Sequence, residues 1–222
     1  LDITTGEARI GLAAPPLAID AWLQGDPVAL SDLAGRVVLI AVFQVNCPGC
    51  FLHCLPRVEG LHRRYREQGL TVLGLATAFE DFEKNTVANL RLLLEEGRVI
   101  GETEKLLSQY GLLERGTWPY RLSFPVAMDH LTPRETDGTA AEVERFIEQR
   151  IDDFQARAPA EQQTLRARLH DHFSRQPFRP ESFERYRLQG TPSYLLIDRN
   201  GRLVASRFGA YETLEADLIA LL

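Results

Sequence analysis

The chain has 222 residues, 45% of them hydrophobic, enough to fill one large domain or a smaller core that carries an insertion. Its 25 basic and 31 acidic residues leave a formal charge of −6 with no basic block able to follow a phosphate backbone, so nucleic acid is excluded as the expected partner. The longest apolar runs, such as "VVLIAVF" and "YLLI", are strand-sized, and no membrane span is expected.

After a loose, proline-containing start, "LAIDAWLQGDPVALSDLAGR" (residues 17–36) sets a Gly-Asp-Pro turn between short apolar runs, which predicts a small N-terminal β-hairpin. "VVLIAVFQV" (37–45) is apolar on both parities, as a strand covered on both faces requires. From Cys50 to about Gln68 the spacing of Leu55, Val58, Leu61 and Tyr65 is helical; Pro56 is expected to kink this helix and Gly69 to end it. "LTVLGLAT" (70–77) predicts a second buried strand, Val87, Leu90, Leu93 and Leu94 an amphipathic helix, Glu102–Tyr110 another, and "LSFPVAMD" (122–129) a short strand. An insertion follows, from about 130 to 185. In it Val143, Phe146, Ile147, Ile151 and Phe154 share a helical face, Pro159 breaks the run, and Leu165, Leu169 and Phe173 predict a second helix of a solvated hairpin. "PSYLLIDRNGRLVASRFG" (192–209) reads as two strands joined at Asn200-Gly201, and "YETLEADLIALL" (211–222) as a closing helix.

All three cysteines fall within eight positions of "FQVNCPGCFLHCLP" (43–56), at the carboxyl end of the first buried strand, where open α/β sheets place their sites. Such clustering fits neither a paired secreted framework nor scattered core residues, and points to chemistry among the thiols. Cys47 stands at a helix start, where unpaired amides and the helix dipole favour a thiolate, so it is the expected nucleophile. Cys50, one turn in and within bridging distance, is the expected resolving thiol, and Pro48-Gly49 suits the bend between them. Far away, "QGTPSYLLID" (189–198) places Thr191-Pro192 just before a strand. That bond can turn cis and offer a backbone edge to a peptide, although an ordinary strand-start proline is the simpler reading of Pro192 alone.

Together, "DPVALSDLAGRVVLIAVFQVNCPGC", "LTVLGLAT", "FPVAMD" and "GTPSYLLIDRNGRL" resemble the thioredoxin superfamily. The resemblance is to its redoxin branch, the TlpA-like thiol:disulfide oxidoreductases and the alkyl hydroperoxide reductase/thiol-specific antioxidant group. It implies an α/β thioredoxin-like fold: a central mixed β-sheet flanked by helices, as one domain over 1–222 with the helical insertion over 130–185. It further implies a Cys47/Cys50 dithiol acting through a mixed disulfide, Pro192 as a cis-proline facing it, and a substrate peptide held at the backbone of Thr191. No cofactor is implied. The partner is a protein or small-molecule thiol or disulfide, a thioredoxin or glutathione system included.

Two departures stand out. Many relatives have Trp before the first cysteine, where this chain has Asn46, and peroxiredoxins carry Thr three residues before the reactive cysteine, where this chain has Gln44. A thiol-dependent peroxidase, with Cys47 oxidised to a sulfenate and Cys50 or Cys54 condensing with it, is the first alternative. Cys54 reads mainly as a buried, inert thiol, and His53 either as a proton-exchanging neighbour of Cys50 or as a solvated histidine. A copper carrier or redox-inert binding protein is the second alternative, since Cys50 and Cys54 match the C-x-x-x-C of Sco proteins. Those use a distant histidine near the place where this chain has Thr191-Pro192, and no metal site is assigned; His130, His170 and His172 read as surface residues. Trp118-Pro119 and "AFEDFE" (78–83) are expected to flank the site, with Glu80, Asp81 and Glu83 solvated. The chain starts at Leu1 rather than Met, so the compartment stays open: the cytoplasm is preferred, and the periplasm follows if an export signal precedes it.

Overall fold

The computed structural model describes residues 7–134 and 140–222; the start of the loose N-terminal segment and the middle of the link after residue 134 lie outside them. The first four strands are β1 (Ile19–Gln24), β2 (Val37–Phe43), β3 (Leu70–Ala76) and β4 (Val126–Asp129). A short pair follows, β5 (Leu131–Pro133) and β6 (Phe178–Pro180), and then β7 (Ser193–Ile197) and β8 (Leu203–Phe208). The helices are α1 (Leu55–Tyr65), α2 (Val87–Glu96), α3 (Gly101–Gln109), α4 (Ala140–Arg150), α5 (Pro159–Ser174), α6 (Glu181–Arg185) and α7 (Leu214–Ile219). The chain divides into two compact units, Leu1–His130 with Pro180–Leu222, and Leu131–Arg179.

In the first unit six strands form a mixed sheet in the order β1-β4-β3-β2-β7-β8. β2 lies parallel to β3 and antiparallel to β7, and all seven of its residues are buried. Val38, Ile40 and Val42 join a cluster with Leu73, Leu75, Leu195 and Ile197 on one face, while Val37, Leu39, Ala41 and Phe43 are equally buried on the other. Each of the Val, Leu, Ile and Phe side chains stabilises by about 1.5–3 kcal/mol relative to exposure and Ala41 by less, which makes β2 the mechanical centre of the sheet. α1 buries Leu55, Val58, Leu61 and Tyr65, the stripe read from the sequence. β7 and β8 form the expected hairpin, with Gly201 at φ 75° and the Asp198 carboxylate accepting the amides of Asn200 and Arg202, both at 2.9 Å.

The predicted N-terminal hairpin does not form. β1 pairs antiparallel with β4, about a hundred residues on, and the run after Gly25-Asp26-Pro27 makes a 3-10 turn, Leu30–Leu33, instead of a strand. The physical reason is that β4 needs a partner on the side away from β3, which a local hairpin would leave as a bare edge. Ser31 and Asp32 favour local turn bonding besides, and the Asp32 side chain accepts the Ala29 amide at 3.3 Å. In the second unit, Val143, Ile147, Phe154 and Phe173 form a core to which Phe146, Ile151, Leu165 and Leu169 add. α4 stops at Arg150, so Phe154 reaches that core from a separate 3-10 turn, and Pro159 opens α5 rather than merely breaking a helix.

Candidate active site

Every group of the site belongs to the first unit. β2 ends at Phe43, and Gln44, Val45 and Asn46 turn the chain into Cys47. Pro48 and Gly49 begin the helix, with the Cys50 amide donating to the Cys47 carbonyl at 2.9 Å. Proline suits this position because its fixed φ is helical and its missing N–H would lack a partner there. Cys47 and Cys50 are joined as a disulfide with Cα atoms 5.4 Å apart. Cys47 is half-buried, whereas Cys50 is fully buried. Pro56 does not simply kink the helix. The ladder widens over Cys50–Cys54 into a π-helical turn, with the Leu55 amide reaching back to Cys50, and Pro56 then falls in the first turn of regular helix, where a missing donor costs least.

The second element arrives by pairing, since β7 lies beside β2 with Ser193 opposite Val42. This register carries Thr191-Pro192 past the end of β2 to Cys47, 144 residues from Thr191 in the sequence, and the Thr191–Pro192 bond is cis. The Thr191 carbonyl oxygen lies 3.6 Å from Cys47 Sγ, and a Cβ on Gly49 would stand 3.8 Å from Pro192 Cδ. Cys47, Gly49, Thr191 and Pro192 therefore share one small surface. Cys54 faces inward, fully buried; burial pushes its thiol up to about 12, with a hydrogen bond to Tyr194 and the nearby Arg57 opposing. His53 is exposed on the same turn.

Several residues around Cys47 act in ways the sequence alone does not suggest. Gln44 is 1% exposed and takes the Thr191 hydroxyl on its Oε1 at 3.2 Å. Asn46 acts as a bracket: its Nδ2 donates to Asp81 at 2.6 Å, and its Oδ1 accepts the Glu102 amide at 2.8 Å, satisfying a free donor in the first turn of α3. Gly101 has φ 57°, and a Cβ there would fall on that same Asn46 oxygen. The Asn46 backbone amide is held by Asn85 at 2.9 Å, and the Val45 carbonyl accepts the buried Thr103 hydroxyl at 2.9 Å. Trp118 packs edge-on to Phe51, ring centroids 5.0 Å apart, beside a cleft of about 260 Å³ lined in part by Leu52, Pro56, Leu112 and Tyr120. Glu80 and Glu83 are exposed as expected; Asp81 is exposed too, yet engaged by Asn46. Among the described residues no three His, Cys, Asp or Glu side chains converge in a way that could hold a metal ion.

The model of the AhpC/TSA family matches residues 10–130, more than half of the chain and the part that contains the cysteine motif. The chain belongs to the AhpC/TSA family. Its fold is that of the thioredoxin superfamily. The crystal structure of the thioredoxin-like superfamily protein SPOA0173 is 25% identical, with TM-score 0.56 over 95% of this chain and 96% of that one. A thiol-disulfide isomerase from Corynebacterium glutamicum is 26% identical, with TM-score 0.57 over 93% of each chain. Protein DipZ of Mycobacterium tuberculosis is 37% identical over 75 residues, 32% of this chain and 11% of that protein. Protein FixW of Rhizobium leguminosarum is 27% identical over 75 residues, 32% of each chain. The chain thus spans a third or less of these curated relatives. Within the AhpC/TSA frame, the thioredoxin-like fold and the adjacent Cys47/Cys50 pair support a redox function in general.

Proposed function

We propose that the protein is a thiol:disulfide oxidoreductase in which Cys47 is the attacking sulfur and Cys50 the resolving one. The reading rests on one observation, the asymmetry of exposure across the Cys47–Cys50 bridge: Cys47 is half-buried beside the Thr191 carbonyl, and Cys50 is shut in. In the reducing direction the Cys47 thiolate attacks one sulfur of a partner disulfide, a mixed disulfide forms, and the first partner thiolate leaves. The Cys50 thiolate then attacks Cys47 Sγ, releases the second partner thiolate and closes the bridge, so two electrons pass to the partner and two protons are released from the dithiol. Oxidation of a partner dithiol runs the same steps backwards. The partner's backbone is held at Thr191 and Pro192, as an extended peptide laid along a strand edge. His53, exposed one turn beyond Cys50, is left to solvent in this scheme, and Cys54 takes no part in exchange.

Peroxide reduction is the alternative that family membership raises. It finds less support here, because Gln44 occupies the place of the peroxiredoxin threonine and its amide oxygen already accepts from Thr191. The experiment is equilibration in graded thiol/disulfide buffers, with the bridge located by peptide mass. A reversible two-electron transition confined to Cys47 and Cys50 is expected. A value toward about −270 mV marks a reductant and one toward about −120 mV a disulfide donor. A bridge between Cys50 and Cys54 instead, or peroxide consumption outpacing disulfide exchange, would overturn the proposal.

A further inference from the structure

A buried amide side chain beside a redox pair needs a reason, because an apolar residue would fill the same space without desolvating two polar atoms. Gln44 is such a residue, and both ends of its amide are engaged: Nε2 donates to the Glu80 carbonyl at 3.2 Å, and Oε1 accepts the Thr191 hydroxyl at 3.2 Å. The Glu80 carbonyl fixes the orientation, since a flipped amide would set oxygen against oxygen there. That carbonyl is itself anchored by Asn85 Nδ2 at 2.9 Å, and Asn85 Oδ1 holds the Asn46 amide, so the tether starts from a braced loop. At its other end Thr191 presents its carbonyl oxygen 3.6 Å from Cys47 Sγ.

We propose that Gln44 is a positioning residue for the exchange reaction: through the Thr191 hydroxyl it fixes the Thr191 carbonyl against Cys47 Sγ, and so sets how readily the Cys47 thiol gives up its proton. The inference rests on the reading of Cys47 as the attacking sulfur. In the reduced protein the Cys47 S–H donates to that carbonyl, which favours the thiol. After the proton leaves to solvent, the negative sulfur faces the negative end of the same dipole. The helix start pulls the other way, toward the thiolate. Gln44 thereby keeps the balance from running fully to the thiolate, and it also holds still the backbone edge on which a partner peptide is laid.

The test uses the reduced full chain as wild type, Gln44→Leu, Thr191→Val and the double variant, following Cys47 alkylation by iodoacetamide against pH, with the modified sulfur assigned by fragment mass. Gln44→Leu removes both amide bonds at similar volume; Thr191→Val removes the hydroxyl and keeps the carbonyl. Each single variant is expected to lower the alkylation midpoint by about half a pH unit, the shift that one weak hydrogen bond supports. The double variant should shift no further than either single one, because both break the same link. An unmoved midpoint in the single variants, or additive shifts in the double, overturns the proposal. Should Gln44→Leu fail to fold by circular dichroism, Gln44→Met replaces it, and Thr191→Val tests the same link from its other end. A Cys47→Ser control separates the two levels. If it keeps exchange activity, the functional reading falls and this proposal with it; if it is inactive while the midpoints stay unmoved, this proposal alone falls.

Discussion

At the scale of single residues, the site is organised by depth. Cys47 meets the surface, Cys50 lies one turn in, and Cys54, a further turn on, is sealed among core side chains. Cys54 should therefore stay unmodified when the reduced native protein is alkylated near about pH 8 and react once the chain is unfolded, which mass mapping checks. Its burial has a linkage consequence. The thiol is held up from its ordinary 9.0 to about 12, so between those values the unfolded chain loses a proton that the folded chain keeps. Its contribution to stability is whole below pH 9 and is lost as pH rises toward 12, with a slope of up to about 1.4 kcal/mol per pH unit. Denaturation of Cys54→Ala should be less steep over that window. The cysteine pattern was legible from spacing alone, because strand, C-x-x-C and helix are contiguous. The link from Gln44 to Thr191 was not, because it joins residues 147 apart through a register that no local pattern encodes.

At the scale of elements, the turn before Cys47 is held by neighbours that the sequence keeps far from it. Asn46 stands directly before Cys47, and its side chain ties α3 and the Asp81 loop to that turn. Gly101→Ala would put a methyl group on the Asn46 oxygen at a backbone angle that disfavours alanine, and should destabilise the protein by about 1–3 kcal/mol in urea denaturation. Asn46→Ala relieves that clash, so the double variant should lose less than the sum of the singles. A second tie sits at the end of β4. The buried Asp129 carboxylate accepts the Ser182 amide at 2.8 Å, the Phe183 amide at 3.1 Å and the Thr77 hydroxyl at 2.9 Å. Asp129→Asn turns one acceptor into a donor facing an N–H and should cost about 1–3 kcal/mol, measured the same way. Elements whose signal is local were legible: the doubly buried β2, the α1 stripe and the β7–β8 hairpin. The pairing of β1 is not legible locally, because its partner is the free edge of β4, which only the assembled sheet presents.

At the scale of the whole molecule, the thioredoxin-like fold was readable from a few separated motifs, since each marks a strand end that the sheet order brings to one place. The unit Leu131–Arg179 has its own core, and the chain leaves and re-enters the first unit at adjacent points, the Glu181 amide donating to the His130 carbonyl at 2.9 Å. Replacing Leu131–Arg179 with a short Gly/Ser linker should therefore leave the first unit folded and the Cys47/Cys50 couple intact; a circular dichroism melt and a thiol-exchange assay check it. The central claim is that one sulfur attacks and the other resolves. The most direct test is to capture the mixed disulfide with a model peptide disulfide in Cys50→Ser and in Cys47→Ser, and to map the adduct by fragment mass. A stable adduct on Cys47 is expected in Cys50→Ser, and neither adduct nor exchange in Cys47→Ser. An adduct on Cys50 or Cys54, or full exchange without Cys47, would contradict that claim.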